Sequence, residues 1–415
     1  MKRRFIAVMS LILPCLMATA QTDNNTATEL EDTTLCTLPA DTLAAALPWP
    51  QNVQAEIDGL LDNKMFNTSQ VGLMVYDLTA DSAIYRHNER QTLRPASTMK
   101  VITAVTALDR LGGSYRFRTS LHYTGRIEDR TLNGDVWCVG GFDPMFNNDD
   151  MDAFAEALIQ MGVDTIRGRI VADKSMKDSL LYGEGWCWDD DNPVLSPLLI
   201  SRKDRFTERF VEELENRGVT VEATLAQGTM PHDAFIVCSR YHTIDQVLIR
   251  MMKDSDNLYA ESMFYQIAAA AGGSPAKASH ARAAIRKLIS RLGLDSGAYK
   301  IADGSGLSLY NYVSAELEVR MLRYAFRDNE IFTHLYPSLA IAGEDGTLKS
   351  RMRGGLTSGN VRAKTGTLTG ISSLAGYCTA PNGHTLCFAI INQGVMHGRN
   401  GRAFHDRVCA ALCEP

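Results

Sequence analysis

The chain has 415 residues, 45% of them hydrophobic and 22% charged, with a formal net charge of −6. That length favours two or three domains, and the composition is that of an ordinary globular protein. An acidic balance excludes a nucleic-acid partner, which would need a basic surface to meet phosphates.

The first twenty residues read as an export signal. Lys2, Arg3 and Arg4 form a positive start, residues 5–17 an apolar run, and Ala18-Thr19-Ala20 a small-residue cleavage site. The run is too short to span a membrane. Cys15 offers a lipidation alternative, but Pro14 stands where such signals need a small residue. Cleavage after Ala20 takes the charge from −6 to −9 and places the remainder in the periplasm or an equivalent exported space. Residues 21–50, rich in Thr, Asp and Ala with Pro39, Pro48 and Pro50, read as a flexible tether.

A helical pattern covers 51–61, a strand 71–78, and its hairpin partner 82–86. A helix begins near Pro95. Its apolar positions Met99, Ile102, Ala104, Val105, Ala107 and Leu108 cover most of its circumference, as in a buried central helix, and Gly112-Gly113 ends it. From 117 to about 236 the pattern changes. Strand-like pieces at 120–123, 135–139 and 169–172 alternate with helices at 151–161 and 204–217, which reads as an inserted domain over 118–236. Helices return at 244–252, 258–271, 277–292 and 315–327. Strands at 361–367, 372–378 and 385–393 form a meander before a last helix at 403–412. Two early strands and three late ones predict one antiparallel sheet with helices on both faces plus an all-helical lobe. That is an α+β fold built from 51–117 and 237–415.

Setting Cys15 aside leaves eight cysteines in the exported chain, where disulfides can persist. Cys378 and Cys387 flank the turn signal Pro381-Asn382-Gly383-His384. A two-residue Asn382-Gly383 loop would set them opposite each other and allow a cross-strand disulfide. Pairing among Cys36, Cys409 and Cys413 is a weaker expectation. Neither Cys-x-x-Cys nor His-Glu-x-x-His occurs, and no metal or other cofactor is expected.

Three short motifs carry the chemistry: Ser97-Thr98-Met99-Lys100 at the start of the apolar helix, Ser255-Asp256-Asn257 at a helix junction, and Lys364-Thr365-Gly366 on a strand. Residues i and i+3 share a helix face, so Lys100 can reach the Ser97 hydroxyl. Serine is a weak nucleophile until a base takes its proton, and lysine serves only if burial and a neighbouring cation, here Lys364, lower its pKa. Gly366 lets a substrate backbone approach the strand. Each motif alone is common: a surface pair, a helix cap, a strand end. Together, in this order, they form the set shared by class A β-lactamases and penicillin-binding proteins.

The wider stretches resemble the low-molecular-mass class C penicillin-binding proteins, the D-Ala-D-Ala carboxypeptidase/endopeptidase family of peptidase S13. They are Pro95 to Lys100, Ser255-Asp256-Asn257-Leu258-Tyr259-Ala260-Glu261, Asp303-Gly304-Ser305-Gly306-Leu307-Ser308, 341–348, 364–368 and 374–377, with Gly140 to Pro144 and Gly185 to Asp190 in the insert. The resemblance implies the serine β-lactamase/D,D-peptidase-like fold. It makes Ser97 the acylated nucleophile, Lys100 its base, Ser255 a proton relay, Asn257 a substrate and Lys100 ligand, and Lys364 and Thr365 the holders of the peptide carboxylate. Gly366 lies along the substrate, and the N–H groups of Ser97 and Thr367 form the oxyanion hole. Partners would be peptidoglycan stem peptides and, as covalent inhibitors, β-lactams. Peripheral wall or membrane association and the oligomeric state stay open. Two departures stand out: Phe142 occupies a position where relatives often have glycine, and residues 196–200 run almost directly into the helix at Asp204, where a strand-rich subdomain is normally placed.

Some residues have blander readings. Asp143 before Pro144 is a turn residue more often than a ligand. Trp186 and Trp188 read as packing between domains, and Asp303 to Leu307 as a structural loop facing the catalytic lobe. The alternatives are a β-lactamase or esterase on the same fold, for which Glu261 and Glu344 stay open as deacylation bases, and an inactive wall-binding protein.

Overall fold

The structure, a computed structural model, describes residues 47–187, 190 and 192–414. The expected export signal and the tether up to residue 46 lie outside these residues. The chain order is α1 (Gln51–Leu61), β1 (Gln70–Asp77), β2 (Ser82–His87), α2 (Met99–Leu111), β3 (Arg116–Tyr123), β4 (Arg126–Glu128), β5 (Thr131–Asn133), β6 (Val136–Val139), α3 (Asn148–Gln160), β7 (Thr165–Asp173), α4 (Phe206–Asn216), β8 (Thr220–Gln227) and β9 (Phe235–Thr243). It continues with α5 (Ile244–Lys253), α6 (Asn257–Ala270), α7 (Ala278–Arg291), α8 (Ala315–Arg327), α9 (Asn329–Ser338), β10 (Ala340–Ile341), β11 (Arg362–Leu368), β12 (Ile371–Thr379), β13 (Thr385–Gln393) and α10 (Gly398–Cys413).

The early hairpin and the late meander join in one sheet of order β10-β11-β12-β13-β1-β2, antiparallel throughout. Its central strands are buried on both faces because their side chains alternate between two apolar layers. Leu73, Val75, Leu374, Phe388 and Ile390 pack with Val53 and Ile57 of α1 and Phe404, Val408 and Leu412 of α10. Met74, Tyr76, Ala375, Tyr377, Ala389 and Ile391 point the other way, toward α2 and the helices α5 to α9. Every residue of α2 from Met99 to Leu108 is buried, including Lys100, Thr103 and Thr106.

A second sheet, of order β4-β5-β7-β6-β3-β9 with β8 on the far edge of β7, spans 116–243. It mixes parallel pairs around β7 with antiparallel ones at β3. Helices α3 and α4 cover it through their own apolar layer, centred on Phe154, Phe206, Phe210 and Ile170. After Ile200 the chain turns through Ser201 and Arg202, both at positive φ (45° and 70°), and reaches α4 within a few residues.

The cysteine expectation fails on register. The β12–β13 turn closes from Ala380 N–H to His384 O, leaving Pro381, Asn382 and Gly383 in a loop one residue longer than the Asn-Gly signal suggested. Cys378 therefore faces Leu386, and Cys387 faces Tyr377. A one-residue slip puts the two thiols on opposite faces of the sheet. Cys387 lies in the α2-side layer and Cys378 in the α10-side layer, both as free thiols. Cys409 and Cys413 are free as well, and Cys36 lies outside the described residues.

Candidate active site

The sequence motifs converge where α2 begins. Ala96 sits at φ 49°, so the helix cannot start at Pro95. A single 3₁₀ turn, Ala96–Thr98, comes first. Pro95 O anchors it, accepting from Thr98 Oγ1 (2.9 Å) and from Ser373 Oγ on β12 (2.5 Å). Gly306, at φ 81°, backs the turn so closely that a Cβ there would lie 1.8 Å from Ala96 O. Strand β11 presses from the other side. A Cβ on Gly366 would lie 2.7 Å from Pro95 O and 2.9 Å from Ser97 N. The glycine of the third motif is thus the point where the strand meets the Ser97 turn.

Lys100 Nζ donates to Ser97 Oγ (2.9 Å), Asn257 Oδ1 (2.7 Å) and Ser305 O (2.8 Å), which uses all three of its protons. Lys364 Nζ donates to Ser255 Oγ (2.9 Å) and Thr365 O (2.8 Å). Thr365 Oγ1 meets Thr347 Oγ1 at 2.8 Å, and Thr367 is exposed one residue beyond Gly366. Ser97, Lys100, Ser255, Asn257, Lys364, Thr365, Gly366 and Thr367 therefore share one site.

Both lysines are fully buried. Burial brings the Lys100 ammonium down to about 8, against the attraction of Asp303, Glu261 and Asp256, which holds it up. Lys364 is held well below the usual lysine range, first by burial and then by the nearby Lys100. The sequence reading made Lys364 the cation that lowers Lys100. In the structure burial is the main cause for both, and the repulsion between the amines falls on Lys364.

The Ser255 turn is clamped from outside. Ser255 sits at φ 63°, an uncommon conformation for serine. Asp256 caps α6 by accepting from Leu258 N–H (3.0 Å), and its other oxygen accepts from Arg202 (2.5 Å) and Arg250 (3.3 Å). Arg202 comes from the 201–202 turn between β7 and α4, within the span of the second sheet, so that region bears on the site. Asn192 adds a second contact, accepting from Asn257 Nδ2 at 3.3 Å.

Residues 303–308 are more than a supporting loop. Asp303 accepts from Gly306 and Ser308 N–H, from Asn311 Nδ2 and from Trp186 Nε1, and this fixes the turn whose Ser305 carbonyl holds Lys100. Glu261 accepts from Gly304 and Ser305 N–H (3.0 and 2.8 Å). Sequence reasoning did not identify Ser305, Asp303, Thr347 or Arg202 as parts of the site. The quoted 303–308 and 341–348 stretches contain the first three, whereas Arg202 carries no motif. Asp143 follows its bland reading: it is buried, accepts from Met145 N–H and pairs with His242 Nδ1 at 2.7 Å. Phe142 keeps a glycine-like φ of 54° while its ring packs against Tyr265. Trp186 packs against the α2-side core, and Trp188 lies outside the described residues.

Comparison with known proteins bears on this geometry. Residues 53–199 and 200–412 match the model of the D-Ala-D-Ala carboxypeptidase 3 (S13) family. The chain belongs to that family and has its serine D,D-peptidase fold, an α+β architecture. It is 27% identical over 461 residues to a D-alanyl-D-alanine carboxypeptidase of Actinomadura sp. (strain R39), spanning 87% of this chain and 84% of the relative. It is 26% identical over 425 residues to the D-alanyl-D-alanine carboxypeptidase DacB of Haemophilus influenzae, spanning 81% and 88%. The crystal structure of penicillin binding protein 4 (dacB) from H. influenzae superposes with a TM-score of 0.78 at 22% identity, covering 86% of this chain and 98% of that one. That protein has also been solved in complex with a β-lactam, with a TM-score of 0.72 to this chain.

Proposed function

We propose that this protein is an exported, penicillin-sensitive serine peptidase that hydrolyses D-Ala–D-Ala bonds, or D-Ala–diamino acid cross-links, of peptidoglycan stem peptides. The observation that carries the reading is the bond from Lys100 Nζ to Ser97 Oγ inside a buried site that also holds Ser255, Asn257 and Lys364. In this reading neutral Lys100 takes the Ser97 proton as Oγ attacks the carbonyl carbon of the penultimate D-alanine. The N–H groups of Ser97 and Thr367 stabilise the oxyanion, a contribution of about 3 kcal/mol for one such donor. Ser255, linked to Lys364, passes a proton to the leaving nitrogen. Lys364, Thr365 and the strand at Gly366 hold the terminal carboxylate, and Asn257 orients Lys100 and the substrate amide. Water then hydrolyses the acyl-enzyme. The catalytic part comprises 51–117 and 237–415, with 118–236 inserted between them. The apolar start at 5–17, behind three basic residues, supports export to the periplasm. Among the described residues no helix is long and apolar enough to cross a membrane.

The test is labelling of residues 21–415 with a fluorescent penicillin, peptide mass spectrometry, and digestion of cross-linked muropeptides, with Ser97→Ala as control. A lasting adduct on Ser97 and release of D-alanine or of the cross-link are expected. Rapid drug turnover without an adduct would make the protein a β-lactamase, and no adduct on folded protein would overturn acylation altogether.

A further inference from the structure

Glu261 is fully buried on α6, one helical turn beyond Asn257, yet it makes no bond to Ser97, Lys100 or Lys364. Its bonds go to the backbone of the 303–308 turn, where Oε1 accepts from Gly304 and Ser305 N–H. Thr103 Oγ1, one turn along α2 from Lys100, donates to Gly304 O (2.7 Å), and Lys100 itself donates to Ser305 O (2.8 Å). Glu261 thus grips the Gly304–Ser305 peptide unit that Thr103 grips from α2, next to the unit whose carbonyl accepts from Lys100. It also lines a cavity of about 510 Å³ with Asp178, Tyr265, Arg282 and Asp303.

We propose that Glu261 is a positioning residue for Lys100: through the Gly304 and Ser305 amides it fixes the turn whose Ser305 carbonyl aims the amine at Ser97. This rests on the reading of Lys100 as the base in acylation. The groups facing Glu261 are Lys100 from α2, Asp303 from the turn, Lys177 and Asp178 from the segment after β7, Arg282 from α7, and Tyr265 on its own helix. Burial first, and Asp303 next, push the Glu261 carboxyl up to about 8, the range to which burial brings Lys100 down.

The experiment measures acylation rate against pH, with a fluorescent penicillin, for the wild type, Glu261→Gln and Glu261→Ala, with thermal melts as a check on folding. Gln keeps an acceptor for the Gly304 and Ser305 amides without the charge. Its acylation rate should stay within about threefold of wild type at every pH, a rescue relative to Ala. Ala loses the grip as well and should fall about tenfold or more at every pH. A Glu261→Ala rate equal to wild type, or a folded Glu261→Gln that falls as far as Ala, would overturn the positioning role. Should Glu261→Ala fail to fold, Glu261→Met, of similar volume but without an acceptor for the two amides, must show the same fall. A wild type that never labels on Ser97 refutes the proposed function instead, a result distinct from all of these.

Discussion

Replacing Gly366 by alanine isolates the contact between β11 and the nucleophile turn. The added Cβ would lie 2.1 Å from Ser373 Oγ, 2.7 Å from Pro95 O and 2.9 Å from Ser97 N. The serine hydroxyl can rotate away only by giving up its bond to Pro95 O. The other two atoms are backbone and cannot move alone, so strand and turn must separate by about 0.5 Å to restore ordinary contacts. That separation pulls apart the N–H groups of Ser97 and Thr367, which in the proposed reaction converge on one oxygen. Loss of one such donor lowers turnover by about 10² to 10³, and we expect acylation by a fluorescent penicillin to fall by about 10²-fold. Overpacking of this kind costs about 1–3 kcal/mol, so the protein should still fold, with a lower Tm. Gly354, with open space around its Cβ position, supplies the control: Gly354→Ala should leave both quantities unchanged. A folded Gly366→Ala protein that acylates within threefold of wild type would refute the idea that this strand and turn define the site.

With Lys100 titrating near 8, acylation should rise about tenfold between pH 6 and pH 7 and level off above about 8; a flat profile across pH 6–9 would show that another group limits the step. Glu318, fully buried on α8, is pushed up to about 8 by burial, against the lowering effect of the Thr98 hydroxyl beside it. Its folded pKa is raised above the ordinary 4.5, so its contribution to stability is complete below 4.5 and is lost as pH rises through about 8. The urea-derived stability of Glu318→Gln should therefore gain on wild type from pH 6 to pH 9, by on the order of 3 kcal/mol. A difference independent of pH would contradict this. Arg202→Ala removes one of two arginine clamps on Asp256 and should slow acylation about tenfold at a stability cost of about 1–2 kcal/mol; an unchanged rate would show that the clamp does not reach Ser255. Peptide mapping without reduction should find no Cys378–Cys387 link, because the thiols lie on opposite sheet faces; such a link would mean that β12 and β13 pair in another register.

What was legible in the sequence followed strong periods and side-chain chemistry. Helix α1 and strand β13 fall on their expected bounds: Pro50 precedes α1, and Gly383 and Gly394 stand near the two ends of the apolar β13 run. The Ser97–Lys100 pair was legible because a helix fixes the i, i+3 spacing. The partnership of Lys364 with Ser255, 109 residues away in the chain, was inferable only from the resemblance. Ser305 contributes a carbonyl oxygen, which every residue possesses, so no residue type could announce it. Helix α9 went unseen because only Asp328 separates it from α8, with no glycine or proline between, and Pro337 sits inside it. Strand β8 went unseen because Thr220–Gln227 is an edge strand, half exposed and without large apolar residues at every second position. The cysteine error was one of counting: a single extra loop residue inverts every side chain beyond it.

The second sheet leaves and rejoins the rest of the chain through neighbouring strands, β3 and β9, paired from Arg116 and Thr243 onward. This two-strand stem has a consequence for folding. Helix α2 must meet α5 and α6 across more than a hundred intervening residues, and closing a floppy loop of that length is entropically costly. Once β3 and β9 pair, the ends of the excursion are already side by side, and the loop to be closed is only the few residues beyond the stem. The stem therefore acts as the chain's own splint, holding the two ends of the excursion side by side so that α2 and the Ser255 turn stay within reach of each other.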